Sequence, residues 1–220
     1  AERLAQVISA HGLAVPAIGT GQAWGEEQLS FTSTDSVVRQ AAVDRIKAHI
    51  SLARRFNALI IIGLIRGITP PGQIQATSLG YLEEALNECA AEAALHGVRL
   101  ALEPINRYET DLINTVDKGL ALLERVGAIN LGLLLDTFHM NIEERVIEES
   151  IRLCGERIFH FHVADSNRSY PGAGHLDFRS ILSALSATGY RGWVSGEFMP
   201  LPDADTAAQR AMETLSSLLS

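Results

Sequence analysis

The chain has 220 residues, a mass of 23.8 kDa, a formal net charge of −8 and a sequence pI near 5.4. Its 47% hydrophobic and 20% charged composition is globular and excludes disorder by low hydrophobicity. The acidic surplus argues against a nucleic-acid-binding surface, which needs clustered Lys and Arg, and the longest uninterrupted apolar run, Ala58 to Ile62, is too short to cross a membrane.

One rhythm repeats along the chain: a short apolar run, a polar residue, then an amphipathic helix. A helix is predicted over Glu2–His11, then an apolar run over Gly12–Ile18. The helix over Ser36–Phe56 sets Val43, Ile46, Ile50 and Ala53 at spacings of three and four. The run Ala58–Leu64 follows, then a helix over Leu79–His96 with Leu82, Ala85, Leu86, Cys89 and Ala93 on one face. The remaining runs are Val98–Leu102, Leu131–Leu135, Ile158–Val163 and Trp193–Ser195, and the remaining helices Thr115–Val126, Ile142–Cys154, Arg179–Thr188 and Thr206–Leu219. Gly97, Gly127, Gly155 and Gly189 follow helix ends, where a left-handed residue is wanted. Thr115 with Lys118 is half of a capping box. The two cysteines, Cys89 and Cys154, have no paired spacing, and a reducing, cytoplasmic setting is the default.

Runs that are apolar on both faces read as buried parallel strands. Their alternation with helices gives either a doubly wound sheet or a closed (β/α)8 barrel. Gly19-Thr20-Gly21-Gln22 lacks the third glycine of a phosphate-binding loop, which weakens the first option. The expectation is a single TIM-barrel domain over residues 1–220. Six of eight strands are counted, and the first strand, first helix and second strand are expected to be missing from the chain as given.

The last four runs end in Glu103, Asp136, His162 and Glu197. In a barrel the strand C-termini meet at one mouth, where active sites sit. A single such residue would as readily face solvent, but four successive strand ends of this kind point to a shared site. Three carboxylates in one place repel one another, and a divalent cation supplies the missing charge. One imidazole with three carboxylates suits Mn²⁺, Mg²⁺ or Co²⁺. His139 and Arg168, in the loops after Asp136 and His162, are candidates for substrate oxygens. Arg66, after the Ala58–Leu64 run, would either receive a substrate carboxylate or pair with Glu26 or Glu27. His160, two residues before His162, reads as a hydrogen-bonded core histidine. His11, His49, His96 and His175 read as structural or solvent-facing.

The segments Glu103-Pro104…Arg107-Tyr108-Glu109-Thr110, Asp136-Thr137-Phe138-His139-Met140-Asn141-Ile142-Glu143-Glu144 and His160-Phe161-His162-Val163-Ala164-Asp165-Ser166-Asn167-Arg168…Pro171-Gly172-Ala173-Gly174-His175, with Gly196-Glu197, carry a family resemblance. The chain resembles the xylose-isomerase-like (β/α)8 sugar isomerases and epimerases, and among them the ketose 3-epimerases acting on D-tagatose or D-psicose. The separations of 33, 26 and 35 residues from Glu103 through Asp136 and His162 to Glu197 match as well. Ala17–Ala23 and Ile61–Gly67 are similar to epimerases of 5-keto-L-gluconate. The resemblance implies one divalent metal, Mn²⁺ foremost, held by Glu103, Asp136, His162 and Glu197. It implies Glu103 and Glu197 as an opposed acid/base pair that inverts the carbon beside a carbonyl through an enediolate. It also implies His139, Arg168 and Glu109 at the substrate, a keto-sugar or keto-sugar acid as the partner, and a homo-oligomer. The alternatives are a hydroxypyruvate-isomerase-like aldose–ketose isomerase, a metal-dependent dehydratase on the same scaffold and, more distantly, an endonuclease IV-like nuclease. The last needs further histidines where this chain offers Gly19 and Gly63.

Overall fold

The computed structural model describes residues 2–219, among which nine α-helices and six short strands alternate. They fall into two units. The first runs to Leu102 and adds Thr110–Leu112 and Leu122–Gly132; the second holds Glu103–Glu109, Ile113–Ala121 and the chain from Leu133 onward.

The first unit contains α1 (Glu2–Ala10), β1 (Ala17–Ile18), α2 (Gly21–Gly25), α3 (Ser36–Phe56), β2 (Leu59–Ile62), α4 (Gln75–Leu95) and β3 (Leu100–Leu102). β1 pairs in parallel with β2, and β2 with β3, setting Ile60 beside Ile18 and Leu100. Ile60, Ile62, Leu100 and Leu102 are fully buried, as strands covered on both faces must be. Asp35 starts α3 by accepting the Val37 N–H, and Asn57 ends it in the left-handed region at φ 51°. The predicted stripe of Val43, Ile46, Ile50 and Ala53 is the buried face of α3, and Leu82, Ala85, Leu86, Cys89 and Ala93 are buried on α4. Full burial of one of the Val, Ile or Leu side chains contributes about 1.5–3 kcal/mol. The two helices pack together, joined at the surface by Lys47 to Glu88 at 2.7 Å and by Arg39 stacked 4.0 Å above the Tyr81 ring.

α5 (Val116–Val126) and β4 (Leu131–Asp136) contribute residues to both units. The second unit continues with α6 (Thr137–Glu143), α7 (Ile147–Cys154), β5 (Ile158–Val163), α8 (Phe178–Ala187), β6 (Val194–Gly196) and α9 (Ala204–Leu219). β4 pairs in parallel with β5, and β5 with β6. A register shift between Leu133 and Leu134 passes over Phe159, so that Leu134 meets His160 and Asp136 meets His162.

The short helix α2 is unexpected, and two predicted elements differ from expectation. The run Gly12–Ile18 is strand only at Ala17–Ile18, because Gly12 turns at φ 62° and Pro16 has no N–H for a ladder. The helix expected over Ile142–Cys154 is two helices, α6 and α7, parted at Glu144, which is extended at ψ 142°. Glu144 is drawn out by two partners: its carboxylate accepts the Val116 N–H at the start of α5 at 2.8 Å and the Ser150 hydroxyl at 2.6 Å. That distant carboxylate does the capping that Thr115 and Lys118 leave undone. Gly97, Gly127, Gly155 and Gly189 all have positive φ, as their positions after helices demand.

Candidate metal centre

Parallel pairing sets register partners side by side with their side chains on one face. Asp136, the last residue of β4, is the partner of His162 on β5, and His162 is the partner of Ser195 on β6. Glu197, two residues beyond Ser195, keeps to the same face, and its N–H continues the ladder to the Val163 carbonyl at 3.1 Å. With Glu103 they form one group: Glu103, Asp136, His162 and Glu197 each offer a ligand atom, and these atoms all lie within 4.8 Å of one another. All four residues belong to the second unit. Donors at 2.0–2.6 Å from a common ion lie at most about 5 Å apart, so the spacing fits one divalent cation.

The electrostatics say the same. Burial, and then the charge of Glu197, push the Asp136 carboxyl up to about 7. Burial opposes protonation of His162, but its hydrogen bond with Glu197 and the Glu103, Glu197 and Asp136 charges outweigh it and raise its pKa. Glu197 is held below the usual carboxylate range: burial opposes this, and the His162 hydrogen bond, the His162 charge and the Arg168 charge prevail. His162 Nδ1 lies 3.1 Å from Glu197 Oε2 and 3.8 Å from Asp136 Oδ2. Protons here stand in for a missing positive charge. Three members of the group are buried, whereas the Glu197 side chain is 47% exposed.

Local structure fixes Asp136 and the histidines around the group. Asp136 is the N-cap of α6: its Oδ1 accepts the Phe138 and His139 N–H groups at 2.7 and 3.3 Å, and its Oδ2 faces His162. The same cap puts His139 in the first turn of α6, buried, with Nε2 3.8 Å from Glu103 Oε1. His160 is the core histidine expected: Ser195 Oγ lies 3.0 Å from its Nε2, and its ring stands edge-on to His162 at 5.0 Å. Burial, then the charge of His162, push it down to about 4.

Arg168 donates from Nη1 to Glu109 Oε1 at 3.0 Å and lies 4.9 Å from the Phe138 ring centre. Its φ of 60° is left-handed, a strained conformation for a non-glycine residue. The loop that imposes it is organised by Asp165, which is fully buried and accepts the N–H groups of Ser166, Gly172 and Leu176. A Cβ on Gly174 would stand 2.3 Å from Asp165 Oδ1, so only glycine fits there.

Arg66 belongs to the first unit. It is fully buried and donates to the Gly63 and Leu112 carbonyls, while Glu27, one of the partners considered for it, pairs with Arg45. His11 and His175 are exposed, His96 pairs with Glu92, and His49 bonds the Arg45 carbonyl. Sequence reasoning saw Asn106 as one of the polar residues after Glu103 and Phe138 as part of a motif, but gave them, and Ser195, no role of their own. The three-residue spacings Glu103–Asn106–Glu109 were the one available signal for Asn106.

The sequence profile described as a xylose isomerase-like TIM barrel matches residues 1–218. The L-ribulose 3-epimerase of Mesorhizobium japonicum is 36% identical over 193 residues, 85% of this chain and 62% of that protein. A ketose 3-epimerase of Arthrobacter globiformis is 32% identical over 188 residues, 84% of this chain and 63% of its own length. A crystal structure of D-allulose 3-epimerase from Methylomonas sp. superimposes with a TM-score of 0.84 at 27% identity, covering 97% of this chain and 80% of that one. The chain thus spans less than two thirds of the length of these curated relatives.

Proposed function

The chain belongs to the xylose isomerase-like TIM-barrel family, and we propose that it works as a divalent-metal-dependent sugar epimerase, inverting the carbon beside the carbonyl of a ketose or keto-sugar acid. The observation that carries this reading is the four-ligand group itself: two of its carboxylates, Glu103 and Glu197, come from different strand ends and lie within 4.8 Å of the other ligands. Inversion needs two proton-transfer groups on opposite faces of one carbon, because a single base tends to return the proton to the face it left. The metal, Mn²⁺ in preference to Mg²⁺ or Co²⁺, supplies Lewis-acid polarisation of the carbonyl when bound.

One of Glu103 and Glu197 removes the proton beside the carbonyl, and the other returns one to the opposite face of the enediolate. His139 and Arg168 meet the oxygens on which negative charge develops. Glu109 orients Arg168 through their 3.0 Å contact. Arg168, one-third exposed, is the better receptor for a keto-acid's carboxylate; the burial of Arg66 against carbonyls favours a structural role for that residue. The reading extends to a single domain, since the family match runs through both units, and to a homo-oligomer. No helix among the described residues is long and apolar enough to cross a membrane, and the two buried free cysteines suit a cytoplasmic protein.

The test is solvent exchange. The Mn²⁺-loaded protein is incubated in D₂O with D-fructose, D-tagatose or 5-keto-L-gluconate and followed by proton NMR. Loss of the C–H signal beside the carbonyl, with a new epimer, is the expected result. Exchange at the terminal carbon with an aldose appearing would make the enzyme an isomerase. No exchange with metal shown bound would overturn the reading for these substrates.

A further inference from the structure

Asn106, in the loop after Glu103, is almost fully buried. Its Oδ1 accepts the Tyr108 backbone N–H at 3.0 Å. A backbone nitrogen only donates, so this contact fixes which end of the amide is oxygen. The other end, Nδ2, carries two hydrogens and faces two groups: Glu109 Oε1 at 3.0 Å and His139 Nδ1 at 2.7 Å. Reversing the amide would set its oxygen against the Glu109 carboxylate and a donor against the Tyr108 N–H. With both hydrogens committed, His139 Nδ1 is an acceptor, and the ring's hydrogen sits on Nε2, the nitrogen turned toward Glu103.

We propose that Asn106 is a positioning residue that holds His139 in its Nε2–H form, so that the ring offers a hydrogen-bond donor beside Glu103. The frame extends further, because Glu109 Oε1 also takes Arg168 Nη1 at 3.0 Å. One carboxylate oxygen and one amide thereby orient two donors, His139 Nε2–H and the Arg168 guanidinium. The use of those donors in epimerisation rests on the function proposed above; the tautomer does not.

The test reads the ring directly. Histidine-labelled ¹⁵N protein, metal-free or loaded with diamagnetic Mg²⁺, is examined by long-range ¹H–¹⁵N correlation, with His139→Gln identifying the His139 signals. The expected pattern is a protonated Nε2 and an unprotonated Nδ1. Asn106→Asp keeps the size and sets an oxygen against both His139 Nδ1 and the Glu109 carboxylate; examined at a pH where both carboxyls are ionised, it replaces the donor with an acceptor and moves the hydrogen to Nδ1. Should that variant not fold, Asn106→Ala gives a mixture of the two forms. A wild-type ring protonated on Nδ1, or a variant with its tautomer unchanged, overturns the assignment. In kinetics, Asn106→Asp lowers kcat about 10–100-fold while KM and Mn²⁺ affinity stay within about threefold. Unchanged kcat with a moved hydrogen overturns the positioning role. Absence of any epimerase activity in the wild type overturns the proposed function and leaves the tautomer result standing.

Discussion

The two units finish their strands in opposite ways. In the first, β1 and β2 run into Gly19 and Gly63, and the buried cation nearby, Arg66, is met by the carbonyls of Gly63 and Leu112. In the second, β4 ends in Asp136, β6 runs into Glu197 and β5 carries His162, and with Glu103 these bring three carboxylates and one imidazole together. Burying a polar group is costly unless it is partnered. The backbone answers that cost in the first unit. In the second the answer is incomplete until positive charge arrives, and the shift of Asp136 to about 7 records the deficit. Burial of the first kind sustains a fold, and burial of the second kind marks a site.

The sharpest way to break this contrast is to change one residue on each side. Glu197→Gln removes one of the two proposed proton-transfer groups, and turnover at saturating Mn²⁺ is expected to fall by about 10²–10⁴-fold. Retained turnover would remove Glu197 from the chemistry. Ile62→Ala hollows the first unit where the side chain is fully buried. It costs about 2–5 kcal/mol in urea unfolding and leaves the Mn²⁺ affinity of the folded protein unchanged. A large loss of metal affinity in that variant would show that the division between the units is false.

A smaller effect follows from pH. Asp136 must be ionised to bind metal, and its carboxyl in the metal-free fold is raised to about 7. Its proton is therefore a stabilising presence in the metal-free protein, lost as pH rises through that value. Metal binding displaces it, so Mn²⁺ affinity measured calorimetrically rises about tenfold per pH unit up to about 7 and then levels. His162, also raised, adds to the slope. A flat profile between pH 5.5 and 7 would separate the carboxyl from the metal. The smallest effect is an absence of reaction. Burial pushes the Cys89 and Cys154 thiols up to about 12, so neither is alkylated at pH 8 while the protein is folded.

The strand ends were legible in the sequence because parallel strands are short, apolar on both faces and punctuated by the first polar residue. That rule alone located Glu103, Asp136, His162 and Glu197. It did not reveal that Asp136 is at once strand end, helix cap and candidate ligand, since a cap is written in backbone N–H groups that residue types do not display. His139 could be read as a helix-start residue, but Thr137 as the first residue of α6 could not, for that reason. Asn106 was visible as a polar loop residue, but its role depends on which end of its amide meets Tyr108, a fact of three-dimensional contact. The break at Glu144 likewise rests on Val116, 28 residues away. Arg66 followed a strand end as the rule requires, yet it lies buried among carbonyls, because a long side chain can turn back into the protein.

Four strand-end residues of the second unit, on this reading, hold one divalent ion. Electron paramagnetic resonance of Mn²⁺ titrated into the wild type and into His162→Ala tests it most directly. The expected result is one bound Mn²⁺ per chain in the wild type and at least about a hundredfold loss of affinity in the variant. Wild-type protein that leaves Mn²⁺ free in solution, or a His162→Ala variant that binds it equally well, would contradict it.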